Sequence, residues 1–236
     1  MNIKLIMFDL DGTLLPMDQD VFTGAYFKEL AAKFTGYGYD PEKLIDSVWK
    51  GTAAMVQNNG KQSNEDVFWN KFIELYGEEV RADIPLFENY YENEFDNAQK
   101  ACGYNEEASK TINILKDKGY RVALATNPIF PAIATKKRIK WAGCKPEDFE
   151  IYTTYENSSY CKPNPDYYRQ ILEKLGYKPE ECMMVGNDAE EDMAAQALGI
   201  KVFLLTDCLI NKKNRDISQY PGGSFKELME YIDKVG

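Results

Sequence analysis

Apolar and polar positions along the chain follow two rhythms. Residues 3–8, IKLIMF, form a short apolar run of the β type. From about residue 20 to 100 the spacing becomes helical, with Val21, Ala25, Leu30 and Phe34 at near-helical intervals. Asp40-Pro41 supplies an N-cap followed by proline at the first helical position. Ser63 with Asp66 resembles a capping box opening VFWNKFIELY. Another helix is expected from Pro85 to about Lys100, and no strand pattern interrupts the region.

Alternation then begins. A helix from about Asn105 to Lys118 is closed by Gly119, and RVALA (121–125) reads as a buried strand. A helix follows at 131–141, and a weaker strand surrounds Ile151. The helix Pro165 to Leu175 is closed by Gly176. CMMVG (182–186) is a strand, 189–198 a helix ended by Gly199, and KVFLL (201–205) a strand. Residues 206–223 read as a loop, with a last helix from about Ser224. Alternating apolar strands and helices predict an α/β fold, a doubly wound parallel sheet covered on both faces. The first strand is separated from the others by the helical stretch. The predicted division is therefore a core of 1–15 and 105–236 with an inserted all-helical cap, 16–104. Ligands of such sheets sit beyond the carboxyl ends of the strands.

Composition narrows the chemistry. The 44% apolar and 13% aromatic content of the 236 residues exclude a disordered chain. A net charge of −10 and a pI of about 4.7 argue against nucleic acid or an anionic membrane as partner. The same field repels a phosphate ester, so phosphate chemistry here requires a local cation. Histidine is absent, which excludes Ser-His-Asp and Cys-His catalysis and His-ligated zinc. Five cysteines without a CxxC motif read as free thiols. With no stretch of the ~20 apolar residues that span a bilayer and no signal-peptide pattern, the expected location is cytoplasmic.

The informative polar groups all fall at strand ends. Asp9-Leu10-Asp11-Gly12-Thr13 follows the first strand. Two carboxylates two residues apart repel each other unless a cation bridges them, and Mg²⁺ prefers such oxygen ligands. An Asp-rich turn is the plainer explanation of the same residues. Thr126-Asn127-Pro128 follows RVALA, where a hydroxyl and backbone N–H groups suit a phosphoryl oxygen, although taken alone a plain turn or helix cap is the favoured explanation. Lys162, in Cys-Lys-Pro-Asn-Pro, stands beside a helix start, where positive charge favours an anion. The acidic run Asn187-Asp188-Ala189-Glu190-Glu191-Asp192 follows CMMVG; its acids suit a metal, and Asp188 with Glu191 equally makes a helix cap.

These four groups, in this order, resemble the motifs of the haloacid dehalogenase-like hydrolase superfamily, and the resemblance covers the whole chain. DLDGT is similar to that family's first motif, Thr126 to its second, Lys162 to its third and the GNDAEED run to its fourth. The helical insertion resembles that of members with a helical cap. The resemblance implies a Mg²⁺-dependent phosphohydrolase. Asp9 would be the nucleophile forming an aspartyl-phosphate, and Asp11 the general acid and base. Thr126, Asn127 and Lys162 would bind the phosphoryl group. Asp9, Asp11 (by its backbone carbonyl) and an acid of the fourth motif would hold the metal. Many relatives have Gly-Asp where this chain has Gly186-Asn187. Either Asn187 stands at the first acidic position or Asp188 replaces it; Asp188 is the favoured ligand, with Asn187 and Asp192 in support. The implied substrate is a small phosphate ester, since a cap over the site hinders entry of a folded protein.

Other activities of the same fold are less well matched. Haloacid dehalogenases do not need the second Asp, and phosphonoacetaldehyde hydrolases carry a small residue there. Sugar phosphomutases keep both acids but often use a cap histidine. A catalytically silent binding module has no need of the intact Asp9, Asp11, Thr126 and Lys162. The cap's many aromatic residues, from Phe22 and Tyr26 to Tyr91 and Phe95, read chiefly as its own core.

Overall fold

The computed structural model describes residues 3–235; residues 1, 2 and 236 of the expected core lie outside the described residues. Strand β1 (Leu5–Phe8) is buried along its whole length. Four α-helices follow: α1 (Gln19–Thr35), α2 (Pro41–Val56), α3 (Asn64–Tyr76) and α4 (Ile84–Asn93). Their starts obey local chemistry. Asp40 accepts from Lys43 N–H at 2.8 Å ahead of Pro41. Ser63 Oγ accepts from Asp66 N–H at 3.0 Å. Asp66 turns back to the Ser63 hydroxyl at 2.8 Å instead of completing a capping box. The helix expected from Pro85 to Lys100 is divided, with α4 ending at Asn93 and a 3-10 segment covering Phe95–Ala101. Glu94 at the break is held by Lys33, 2.5 Å away.

The chain re-enters the sheet region through α5 (Glu106–Asp117), β2 (Arg121–Leu124) and α6 (Ala132–Trp141), then α7 (Pro165–Leu175), β3 (Cys182–Gly186), β4 (Lys201–Leu205), β5 (Gly222–Gly223) and α8 (Phe225–Val235). The sheet is parallel throughout, in the order β2-β1-β3-β4-β5. The expected loop 206–223 thus ends in a two-residue edge strand, too short to leave an alternating pattern. The weaker strand near Ile151 is a single bridge between Leu124 and Tyr152.

The expected helix 189–198 becomes a turn followed by a 3-10 segment, Met193–Leu198. Tyr168 OH donates to the Glu191 carbonyl at 2.8 Å, and the Asp192 side chain is drawn inward, so two groups of the first turn are committed elsewhere.

Alternation places Ile6 and Phe8 in one apolar cluster and Leu5 and Met7 in another, one on each face of the sheet. The first cluster continues into α1–α4, so this sheet face and the helical segment share one interior. The two chain crossings between them run side by side: Met17 pairs antiparallel with Cys102, and Gly103 N–H donates to Pro16 O at 2.7 Å. The five cysteines form no disulfide. No helix among the described residues is long and apolar enough to cross a membrane.

Candidate active site

The strand order reverses direction at β1, flanked by β2 and β3, and the polar groups gather beyond the carboxyl ends of these three strands. Asp9 directly follows β1 and is fixed by its N–H, which donates to Val185 O on β3 at 2.9 Å. The chain then turns sharply through Gly12, whose φ of +86° favours glycine. A Cβ there would stand 2.3 Å from Asn187 Nδ2. Thr13 Oγ1, brought back by this turn, lies 3.2 Å from Asp9 Oδ2 and 3.0 Å from Asn187 Oδ1.

Lys162 is 2% exposed although it lies 153 residues from Asp9 in the chain. Its Nζ donates to Asp9 Oδ1 at 2.8 Å and to Asp192 Oδ1 at 2.6 Å. Burial opposes a charged lysine, but the carboxylates of Asp192 and Asp9 outweigh it and hold the ammonium well above its usual range. The loop carrying Lys162 is tied to β2's end, its N–H donating to Asn127 Oδ1 at 3.3 Å. Pro165 and the Asn164 side chain start α7 directly behind it, Asn164 Oδ1 accepting from Asp166 N–H at 3.0 Å.

Thr126 is buried, and its carbonyl accepts from Thr153 Oγ1 at 2.6 Å and Tyr167 OH at 2.8 Å. Asn127 Nδ2 donates to Glu191 Oε2 at 3.0 Å. Burial pushes the Glu191 carboxyl up to about 8 against the pull of Lys162. In the acidic run, Asp188 Oδ1 caps the N–H groups of Glu190 and Glu191 at 2.7 and 2.8 Å. Asn187 braces the site: besides accepting from Thr13, its amide donates to Cys208 O at 2.6 Å. Both Asp192 oxygens are engaged, one by Lys162 and the other by Asp188 N–H at 2.9 Å.

Sequence reasoning missed Arg138. It is wholly buried on α6, ion-paired with Asp11, and its guanidinium lies 4.4 Å from the centroid of the Phe130 ring. Burial raises Asp11 above the usual carboxylate range, with the Arg138 charge opposing and the Asp9 charge reinforcing the shift. In the sequence Arg138 stands among Lys136, Lys137 and Lys140, and only the apolar periodicity of α6 distinguishes it. Thr13 was also passed over, although it stands inside the quoted DLDGT motif.

Asp9, Asp11, Thr126, Asn127, Asp188 and Glu191 line a cleft with about 810 Å³ of empty space. A paired-carboxylate centre backed by a buried cation can attack an electrophile and exchange a proton with a leaving group. Among the described residues, no three Asp, Glu or Cys side chains gather into a metal cage. Mg²⁺ needs less, because one or two carboxylates suffice when water and substrate oxygens complete its shell. The donors here are all oxygens, and Asp11 Oδ1 is buried without a hydrogen-bond partner.

Known proteins match this arrangement along most of the chain. The family model for haloacid dehalogenase-like hydrolases matches residues 3–207. The pyrophosphatase PpaX of Bacillus pumilus is 24% identical over 200 residues, covering 85% of this chain and 82% of that protein. Among solved structures, the 2-haloacid dehalogenase of Pseudomonas syringae superposes with a TM-score of 0.64 at 17% identity, covering 99% of this chain and 100% of the other. The HAD-hydrolase YfnB of Bacillus subtilis, bound to magnesium, superposes at 0.57 and 16% identity, with 99% and 100% coverage. Fold, motif order and family match agree: the chain belongs to the haloacid dehalogenase-like hydrolases, as an enzyme of that family.

Proposed function

We propose that this enzyme is a Mg²⁺-dependent phosphatase of small phosphate esters, working through an aspartyl-phosphate on Asp9. The supporting observation is the pairing of two acids in one cleft with different surroundings: Asp9 held by Lys162 and Thr13, Asp11 raised by burial. Different environments are what separate a nucleophile from an acid.

An Asp9 oxygen attacks phosphorus as the P–O bond to the alcohol breaks, and the proton of the Asp11 carboxyl passes to the departing oxygen. Water then attacks the same phosphorus and gives its proton to Asp11, and cleavage of the bond to Asp9 releases inorganic phosphate. Thr126 and Asn127 receive the phosphoryl oxygens, and Lys162 offsets their charge. Asp192, with both oxygens committed, holds Lys162 in place. When bound, Mg²⁺ neutralises phosphoryl charge. Asp9, the Asp11 carbonyl and Asp188 would hold it, with Asn187 bracing the loop behind them. A retained, half-buried Asp11 favours phosphate transfer over dehalogenation, which leaves that group without a task. The helical segment, with bounds at 16–104, forms the cap that excludes water from the intermediate.

The test is hydrolysis of p-nitrophenyl phosphate with Mg²⁺ by wild type and Asp9→Asn. Borohydride reduction of acid-quenched enzyme would convert a phosphorylated Asp9 to homoserine, visible by mass spectrometry. Chloride release from 2-chloropropionate, with no phosphate ester turned over, would replace the phosphatase with a dehalogenase.

A further inference from the structure

A second cavity lies beside the active-site cleft, between the helices α1–α4 and residues 129–131 with Tyr155. The two share Thr23, Trp49, Ile129 and Phe130 as lining, so they adjoin across these side chains. Thr23 and Trp49 come from α1 and α2, while Ile129 and Phe130 directly continue the Thr126-Asn127 loop. The walls beyond this mouth are aromatic, led by Tyr26, Phe68, Trp69, Tyr91 and Tyr155. No charged side chain lines the cavity.

Part of its polar surface is already engaged. The hydroxyls of Tyr26 and Tyr91 are 2.7 Å apart, and Thr52 Oγ1 donates to Val48 O at 2.9 Å. Arg138, behind Phe130, is engaged by Asp11. The indole N–H of Trp69, 9% exposed, has no hydrogen-bond partner. Buried Trp N–H groups usually find one, and here the cavity is where a ligand acceptor can supply it.

We infer that this cavity is the leaving-group pocket, and that the enzyme takes phosphomonoesters of uncharged, largely apolar alcohols about the size of an aromatic ring. This rests on the phosphatase reading. An anionic leaving group, such as the second phosphate of pyrophosphate, would surrender its hydration to walls that offer no countercharge. An aryl group instead exchanges water for ring contacts with these apolar walls.

The test compares kcat/KM for 2-phenylethyl phosphate with ethyl phosphate, glycerol 3-phosphate and pyrophosphate, using the full chain with Mg²⁺. Phenylethanol and ethanol leave with similar ease, so their ratio reads the pocket rather than the bond. A preference of about thirtyfold for the phenylethyl ester is expected, and Thr52→Phe, which fills the cavity, lowers that ratio about tenfold. Binding gives a readout independent of turnover. Two of the three tryptophans, Trp49 and Trp69, line the cavity, so 2-phenylethanol is expected to change the fluorescence of wild type. A 4-methoxy substituent, which adds an acceptor, tightens binding in wild type but not in Trp69→Phe. Equal or better use of ethyl phosphate, glycerol 3-phosphate or pyrophosphate overturns the inference, as does silent fluorescence. If no ester is cleaved, p-nitrophenyl phosphate included, the phosphatase reading fails, and the fluorescence titration still decides the pocket.

Discussion

Around Lys162, both oxygens of Asp9, both of Asp192 and both ends of the Asn187 amide are hydrogen-bonded. In the helical segment, Trp69 Nε1, Tyr76 OH, Tyr90 OH and Glu94 Oε2 are buried with no partner. That segment is held by ring packing instead: Phe34 stacks on Phe87 with centroids 4.1 Å apart, and Trp69 and Phe72 meet Phe87 edge-on at 5.4 and 5.5 Å. The strand-end cluster concentrates charge, where one missing partner leaves an unbalanced ion in a low dielectric. The helical interior concentrates apolar area, where volume matters more than direction and a few unsatisfied polar atoms are tolerated. The satisfied bonds around Lys162 do not extend to the neighbouring Asp11–Arg138 pair, where Asp11 Oδ1 and Arg138 Nε lack partners.

Substitutions in each region can break or sharpen this contrast. Asp9→Asn keeps the shape of the side chain and is expected to lower kcat for p-nitrophenyl phosphate roughly ten-thousandfold. Circular dichroism should show an unchanged fold; activity retained within tenfold would remove Asp9 from the chemistry. Lys162→Met strands Asp9 and Asp192 without their shared cation and is expected to cost about 3–5 kcal/mol of stability by urea unfolding. A neutral result would mean that the cluster is not organised by Lys162.

In the other region, Phe34→Leu, stacked on Phe87 but outside both cavities, is expected to cost about 1–2 kcal/mol. Its kcat for ethyl phosphate should stay within about threefold of wild type, because the site is distant from this packing. A collapse of kcat would show that the two regions are not separable.

The subtlest effect concerns Arg138. Burial raises Asp11 and the Arg138 charge opposes that rise, so Arg138→Met moves Asp11 further up. The protonated acid then persists to higher pH, and the alkaline limb of the kcat/KM profile shifts upward. The sign for stability follows. A carboxyl raised on folding contributes fully below its unfolded value and loses that contribution as pH rises through the folded one. In Arg138→Met the loss extends to higher pH, visible as a lower Tm relative to wild type in the alkaline range. An unmoved limb would detach Asp11 from the proton transfer.

Much of this was legible locally. β1, β2, β3 and β4 are short apolar runs bounded by turn residues, and Asp40, Ser63, Asn105 and Asn164 cap the helices they precede. Such signals depend on neighbours a few residues apart. The strand ends were equally readable: Asp9, Thr126 and Asp188 follow β1, β2 and β3 directly or by one residue, whereas Lys162 stands on a loop that no strand leads into. The turn at 189–192 was not legible. Asp188 and Glu191 look like the start of a helix, and only Tyr168 and Lys162, reaching in from another part of the chain, redirect its groups.

The sequence by itself determined the fold class, the order of elements and the acids at the strand ends, because apolar periodicity, capping and turn chemistry act within a few residues. Tertiary structure alone decided that Arg138 meets Asp11 across 127 residues. It also decided that Lys162 is shared by two carboxylates, and that the aromatic residues of four helices leave a cavity adjoining the strand-end cleft. The reason is physical: a side chain's partner at long range depends on how whole faces pack, and the shape of an unfilled space belongs to no single segment.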